Sequence, residues 1–484
     1  MPSATLPSPC PDACAKPAKP AAPGPLGLAV LLSGGFITIF DLFVVNVAIP
    51  SMQTTLPASF AQINFIIVAY ELAYGVLLIA GSRLGDRHGR RRLFMLGMAG
   101  FALASALCGL APDANALIAA RVLQGVAAAM LFPQVYALIR VSYDGQARRR
   151  AFGLLGMTLG LAAIAGQVLG GWIVHADLFG LAWRTIFLVN VPVGILAWRL
   201  ARHIPESRDA AGAPMDWGGS ALVGSGLGLL LLALVEGPAR HWPAWTLACG
   251  AIAVALLALF VWMQRRAAAA GRVPLVDMAL LAQPRFAAGC LLVTLVFSTA
   301  SAMFLCYALL LQTGLGVDAL TAGTVFAPAS VGFVAGSMAA PRLVARFGTH
   351  AVTVAALLYG GATAALMLHV GAAGDALAPW SLVPALVWLG AAQGAVNTPL
   401  VNLALGLVED RQAGMAAGVV ATLQQVGAAL GVSAAGMLFS ATLDAWADAA
   451  SGDRYAQAFA SAMRFNLAAI GASVLLLAWL GRRR

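Results

Sequence analysis

Of 484 residues, 61% are hydrophobic and only 10% are charged, where a soluble domain averages roughly 45–50% and 25%. So apolar a chain cannot hide its surface in a water-soluble core, and lipid must be the solvent for much of it. A net charge of +10 would point to nucleic acid in a soluble protein. Here the basic residues stand in short clusters between apolar runs, the pattern that sets membrane topology, and no nucleic-acid partner is expected.

Residues 1–25 lack the parts of a signal peptide and read as a disordered cytoplasmic tail. Cys10 and Cys14 lie in that tail, while Cys108, Cys249, Cys290 and Cys306 lie in apolar runs, so neither a disulfide framework nor a zinc site is expected. A membrane span takes about 20 mostly apolar residues. Such runs fall at 26–49, 59–80, 93–111, 116–139, 151–174 and 184–201, then at 217–236 and 243–263. Six more follow at 286–311, 321–341, 350–370, 380–407, 413–440 and 463–481. The expected fold is therefore an all-α integral membrane protein with fourteen transmembrane helices. It divides into an N-terminal six-helix bundle (26–201), a linker region with two additional spans (202–285) and a C-terminal six-helix bundle (286–484). With the N-terminus inside, about 24 of the 29 Lys and Arg residues fall in inner segments, against Arg184, Arg240, Arg454 and Arg464 outside and Arg121 within a span. That asymmetry predicts a multi-pass protein with both termini cytoplasmic.

A faint repeat joins the two blocks. Arg83-Leu84-Gly85-Asp86-Arg87-His88-Gly89 follows the second run of the first block, and Arg342-Leu343-Val344-Ala345-Arg346-Phe347-Gly348 follows the second run of the last. The shared R-L-x-x-R-x-G at equivalent places is expected of two homologous halves meeting around a midplane site, a transporter architecture.

Polar residues inside apolar runs mark candidate function. Arg121 costs about 2.5–3.5 kcal/mol in a span on insertion scales, so it needs a partner or a wet cavity. Two acids are also deep. At 1.5 Å per residue, Asp41 lies roughly 12 Å and Arg121 roughly 8 Å below the outer surface, with Glu71 nearer 18 Å. Depth favours Asp41 as the partner of Arg121 and leaves Glu71 the freer acid. On the inner side, Asp86 sits among five arginines in a glycine turn, which suits an ionic latch; a purely topogenic basic loop is the alternative.

These residues carry a resemblance. Gly85-Asp86-Arg87-His88-Gly89-Arg90-Arg91-Arg92 resembles the G-x-L-x-D-R-x-G-R-R signature of the major facilitator superfamily, with Ser82 where its first glycine stands. Arg121-Val122-Leu123-Gln124-Gly125 resembles R-x-x-Q-G of the fourth helix. Asp41 to Pro50, with Asn46 inside it, resembles l-D-x-T-x-v-N-v-A-l-P of the fourteen-span drug:proton antiporter branch, Phe43 replacing the threonine. In the fifth span, Gly166-Gln167-Val168-Leu169-Gly170-Gly171 resembles the antiporter G-P-x-x-G-G, with Gln167 in place of proline. Trp183-Arg184 through Asn190, Pro192 and Gly194 matches that branch's W-R-x-x-F-x-x-N-x-P-x-G, and the extra pair beginning Asp216-Trp217 separates fourteen-span from twelve-span members.

The resemblance implies a major facilitator fold with spans 1, 4, 9 and 12 lining a cavity. It implies proton-coupled efflux of drugs or other small amphiphilic compounds across the cytoplasmic membrane. Asp41, Glu71, Arg121, Asn46, Gln124 and Gln167 are the candidate coupling and cavity residues. Gly85, Asp86, Arg87, Gly89, Arg90 and Arg91 are the candidate gating loop. The proton gradient serves as driver with no resident cofactor, the partners are a small-molecule substrate and lipid, and a monomer is expected. Proton-coupled solute uptake and a non-transporting scaffold or sensor on the same fold are the alternatives. An enzyme is not expected: Gly224-Ser225-Gly226-Leu227-Gly228 lies inside an apolar span with no preceding strand, no phosphate-loop motif occurs, and the six histidines form no ligand pair.

Overall fold

In lipid every backbone N–H and C=O has to be satisfied within its own segment or in a closed barrel, so long apolar runs become helices. A computed structural model of the chain describes residues 24–208, 216–240, 242–272, 274–405, 408 and 413–482, and contains no strand among them. The expected tail, with Cys10 and Cys14, lies outside the described residues save its last two positions, as do Arg411 and the last two arginines. The long helices are α1 (Pro25–Thr55), α2 (Phe60–His88), α3 (Arg90–Gly109), α4 (Ala114–Ser142), α5 (Gly145–Ala176) and α6 (Ala182–His203, assembled from short pieces). Next come α7 (Trp217–Ala239) and α8 (Ala244–Ala269). The last six are α9 (Pro284–Ala308), α10 (Ala319–Phe347), α11 (Thr349–Ala373), α12 (Val383–Leu405), α13 (Ala413–Ala445) and α14 (Ser451–Arg482). Thirteen are long and apolar enough to cross a membrane, and α12, 23 residues long, is the remaining one.

Several helices outrun the apolar stretch that announced them. α14 begins at Ser451 rather than 463, because its polar first turns, with Asp453 in the first, stay helical beyond the apolar run. α2 continues to His88, so Arg83 to His88 is a final helical turn and not a loop. The break is a single residue, Gly89, at φ +109°. Gly348 breaks the chain between α10 and α11 at φ +59°, so the R-L-x-x-R-x-G repeat marks the same structural event twice. On the opposite face, side chains cap the starts: Ser59 and Gln62 form a reciprocal capping box at α2, and Asp113 accepts from Ala116 N (2.9 Å) at α4.

The packing is itself repeated. In the first bundle α1 lies on α5, α2 on α4, and α3 on α4 and α6; eight helices later α9 lies on α13, α10 on α12, and α11 on α12 and α14. The bundles meet crosswise, α2 against α13 and α5 against α10. The extra helices α7 and α8 pack on each other, with α7 laid along α2 and α13 at the seam.

Glycines in α5 explain how these helices come so close. A methyl on Gly166 would strike Phe43 Cβ (2.8 Å) and one on Gly170 would strike Val44 Cγ2 (2.7 Å), both on α1. Gly171 lies instead against the backbone of Ala319 at the start of α10, across the seam. Although proline is replaced by Gln167, α5 runs unbroken. At the face away from the arginine-rich turns, the bundles are joined. Gln312 Nε2 donates to Val47 O (3.0 Å), His175 Nδ1 stands 3.6 Å from Asp318 Oδ1, and Phe60 stacks on Phe439 at 6.3 Å between centroids.

Candidate functional site

Asp41 and Arg121 form an ion pair with the acid fully buried and the guanidinium 1% exposed. Arg121 also donates through Nε to Ile66 O (3.0 Å) and through Nη1 to Gln124 Oε1 (2.7 Å), with its Cζ 4.3 Å from the centroid of the Tyr70 ring. Gln124 Nε2 bridges Asp41 Oδ1 (2.8 Å) and Ser105 Oγ (2.9 Å), and Asn190 Nδ2 reaches Asp41 Oδ1 at 3.3 Å. Every member has a partner for its charge or dipole, which is what makes so many polar groups tolerable in an apolar interior. The cluster ties α1, α3, α4 and α6 together. The R-x-x-Q-G spacing explains two members, because residues three apart on a helix share a face.

Glu71 is different. It is 3% exposed, and Oε1 accepts from Ser301 Oγ of α9 at 3.0 Å, across the seam between bundles. Its Oε2 is buried without a hydrogen-bond partner, and no cation is paired with it among the described residues. One acid is thus committed to an arginine inside a bundle, while the other spans the two bundles on a single hydroxyl.

A second polar cluster was not foreseen. Tyr359 of α11 shares a hydrogen bond with Thr299 of α9 (2.8 Å) and accepts from Gln393 of α12 (3.4 Å), while Asn466 of α14 donates to Thr299 O (3.1 Å). Its helices are the counterparts of α1, α3, α4 and α6, so it is the C-terminal image of the Asp41 cluster with the ion pair replaced by neutral groups. The signal lay in the repeat: Gln393-Gly394 answers Gln124-Gly125, with Gly390 where Arg121 stands.

Asn46 and Gln167 do not join the charged cluster. They line a small cleft toward the joined face, between α1, α5, α9 and α10, beside Phe304, Tyr307 and Gln312. Asn46 Nδ2 donates back to Leu42 O (2.9 Å), which leaves Asn46 Oδ1 buried and unpartnered; Gln167 Nε2 is likewise without a partner.

The arginine-rich turn is held by its own Asp86–Arg90 pair and by Glu206 and Ser207, which the sequence analysis did not single out. Arg90 clasps Asp86 Oδ1 through Nε (2.9 Å) and Nη2 (2.6 Å), and its Nη1 donates to Ser207 Oγ (2.8 Å). Glu206 Oε1 accepts from the backbone N–H of Arg91 (3.0 Å) at the start of α3, and Glu206 also faces the Arg91 and Arg92 guanidiniums at 3.8 and 3.9 Å. Arg87 is exposed. Gly89 has no room for a side chain, since a methyl would lie 2.9 Å from Glu206 Oε1. Gly85 lies against the Gln134 amide of α4. Asp86 therefore pairs within its own turn, and the turn is fastened to the segment after α6. An acid following a basic helix end, Glu206 after Arg202, was the available clue.

Comparison with known proteins agrees with this architecture. The model of the major facilitator superfamily matches residues 31–432. A probable actinorhodin transporter of Streptomyces coelicolor is 37% identical over 98% of this chain and 82% of its own length. A puromycin resistance protein of Streptomyces alboniger is 34% identical over 87% of this chain and 84% of its own length. A drug efflux pump of Mycobacterium tuberculosis is 31% identical over 86% and 81%. Among solved structures, a POT family transporter in complex with 5-aminolevulinic acid has TM-score 0.67 at 13% identity, covering 96% of this chain and 98% of that one. An inward-facing bacterial homologue of the human lysosomal transporter Spinster has TM-score 0.64 at 17% identity, covering 94% and 96%; these two likenesses speak to the fold. The chain belongs to the major facilitator superfamily and is a multi-pass membrane transporter, not an enzyme.

Proposed function

We propose that this transporter exports small amphiphilic compounds, drugs among them, from the cytoplasm in exchange for protons. The relatives named for drug efflux and antibiotic resistance support the export direction. The observation that carries proton coupling is Glu71, a buried carboxyl at the seam with one hydroxyl donor and no ion pair among the described residues. Protonated, it is neutral and compatible with a closed seam. Deprotonated, it is a charge that a single Ser301 donor cannot satisfy, so opening the seam to water or substrate is favoured. Its charge state thereby biases two arrangements of the bundles, as alternating access requires. Asp41, already neutralised by Arg121, holds the first bundle together instead. The arginine-rich face is the cytoplasmic one by the positive-inside rule, both termini lie there, the membrane is the cytoplasmic membrane, and the working unit is a monomer. No resident cofactor takes part, since the proton gradient supplies the drive.

Inside-out vesicles test this with a panel of cationic, zwitterionic and neutral amphiphiles. Acidifying the lumen should drive accumulation of at least one compound, and a protonophore should abolish it. Accumulation confined to right-side-out vesicles would make the protein an importer.

A further inference from the structure

Between α8 and α9 only Met278–Leu281 is helical among the described residues, and the segment 274–281 lies at the arginine-rich face between helices of both bundles. Buried backbone outside a helix needs partners for its polar groups, and two side chains supply them. Gln264 of α8, 1% exposed, accepts through Oε1 from Leu275 N (2.7 Å) and Val276 N (3.3 Å). Arg83 of α2 donates through Nη2 to Pro274 O (2.7 Å) and at 3.4 Å to Leu275 O. Gln264 is itself held in place. Its Nε2 donates to Asp216 Oδ2 (2.6 Å), while Asp216 Oδ1 accepts from Gly219 N (2.7 Å) at the start of α7. Leu275 and Leu280, 2% and 1% exposed, sink into a core with Ile79 of α2, Phe260 of α8 and Phe286 of α9.

We propose that residues 274–281 are a strap that fastens the two bundles at the arginine-rich face, with Arg83 as its bolt and the extra pair α7–α8 as its anchor. The strap leads directly into α9 and so moves with the second bundle, whereas Arg83 belongs to the first. Parting the bundles at this face breaks the Arg83 bonds, and closing remakes them. Gln264 is a positioning residue, fixing the carbonyl of Pro274 where Arg83 meets it. A hydrogen bond from a charged donor is worth about ten- to a hundredfold in an equilibrium, enough to bias two arrangements of the bundles. The internal repeat sharpens the assignment. Arg342 holds the place of Arg83 in the second block and is exposed, as a purely topogenic arginine would be. The other seam is looser at this face. A methyl on Gly160 of α5 would touch Val334 of α10 (3.3 Å), but methyls on Gly156 and Gly153, one and two turns nearer the arginine-rich end on the same face, would meet nothing within 4 Å. The fastening therefore lies on the α2 side.

The test reads the distance between spin labels on Arg140→Cys of α4 and His350→Cys of α11, both exposed at this face, in a chain whose six cysteines are replaced by alanine. Arg83→Gln should raise the population with the longer, open-face distance at least about fivefold. Arg83→Lys keeps a charged donor and should recover part of that rise. Gln264→Leu leaves Arg83 intact but frees the strap, and should give a similar rise. The double variant Arg83→Gln with Gln264→Leu should open the face no further than the larger single change, because both act through one contact. An unchanged distance in Arg83→Gln overturns the strap, and so does a double variant whose rise is the product of the two single ones. If Gln264→Leu fails to insert, the comparison of Arg83→Gln with Arg83→Lys decides, equal rises overturning the proposal. The measurement needs neither substrate nor a proton gradient, so its outcome is separate from that of the efflux reading.

Discussion

Replacing Arg121 by alanine tests whether the Asp41 cluster is the framework of the first bundle. The change removes the ion pair, the bond to Ile66 O and the contact with Tyr70, and leaves a fully buried carboxylate facing only the Gln124 and Asn190 amides. Breaking a buried pair by removing one partner costs about 3–5 kcal/mol, which is roughly two to three and a half decades in the folded-to-unfolded ratio. Asp41→Asn with Arg121→Gln removes both charges, keeps hydrogen-bonding groups in place, and should recover most of that loss. The assay is thermal unfolding of the detergent-solubilised single and double variants together with their membrane yield. The cycle should show a coupling of at least about 2 kcal/mol. Additive losses in the double variant would mean that the two side chains do not act as a pair.

Asp86→Asn leaves Arg90 without its acid; transport should fall at least about tenfold with the amount inserted unchanged, whereas full transport would reduce the turn to a topogenic signal. Gly89→Ala places a side chain at φ +109° and 2.9 Å from the Glu206 carboxyl, so it should cost at least about 1–2 kcal/mol, read as an earlier melting transition. Asp318 caps α10, and the Thr321 hydrogen bond, with His175 nearby, holds its carboxyl below the ordinary value. Its contribution is therefore full above the ordinary carboxylate range and is lost as pH falls through the lowered value, so acid should loosen the α5–α10 junction, seen as a lengthened distance between labels on the two helices. Reporters fused after residues 212 and 484 should both score cytoplasmic, and a periplasmic score for either contradicts the charge-based topology.

What could be read from the chain in advance followed from single-residue chemistry and spacing. Apolar run lengths located the helices, and depth along two of them paired Asp41 with Arg121, because a buried guanidinium must find an acid within reach. What escaped was set by packing between distant segments. The Glu206 clasp on the α3 start joins residues 115 apart in sequence, and its local mark, an acid after a basic helix end, does not say which distant segment it holds. The neutral cluster around Tyr359 escaped because Thr299, Gln393 and Asn466 are ordinary polar residues whose meaning appears only once α9, α11, α12 and α14 are laid over α1, α3, α4 and α6. Helix ends such as Ser451 ran past their apolar runs because polar turns beyond the apolar stretch remain helical.

Proton coupling through Glu71 is the central claim, and a paired measurement on reconstituted vesicles tests it most directly. Glu71→Gln keeps a hydrogen-bonding partner for Ser301 but can neither bind nor release a proton. Efflux under an imposed pH gradient should therefore fail, while counterflow at equal substrate concentrations without a gradient persists. A Glu71→Gln protein that still concentrates substrate against its gradient would show that the proton travels by another group.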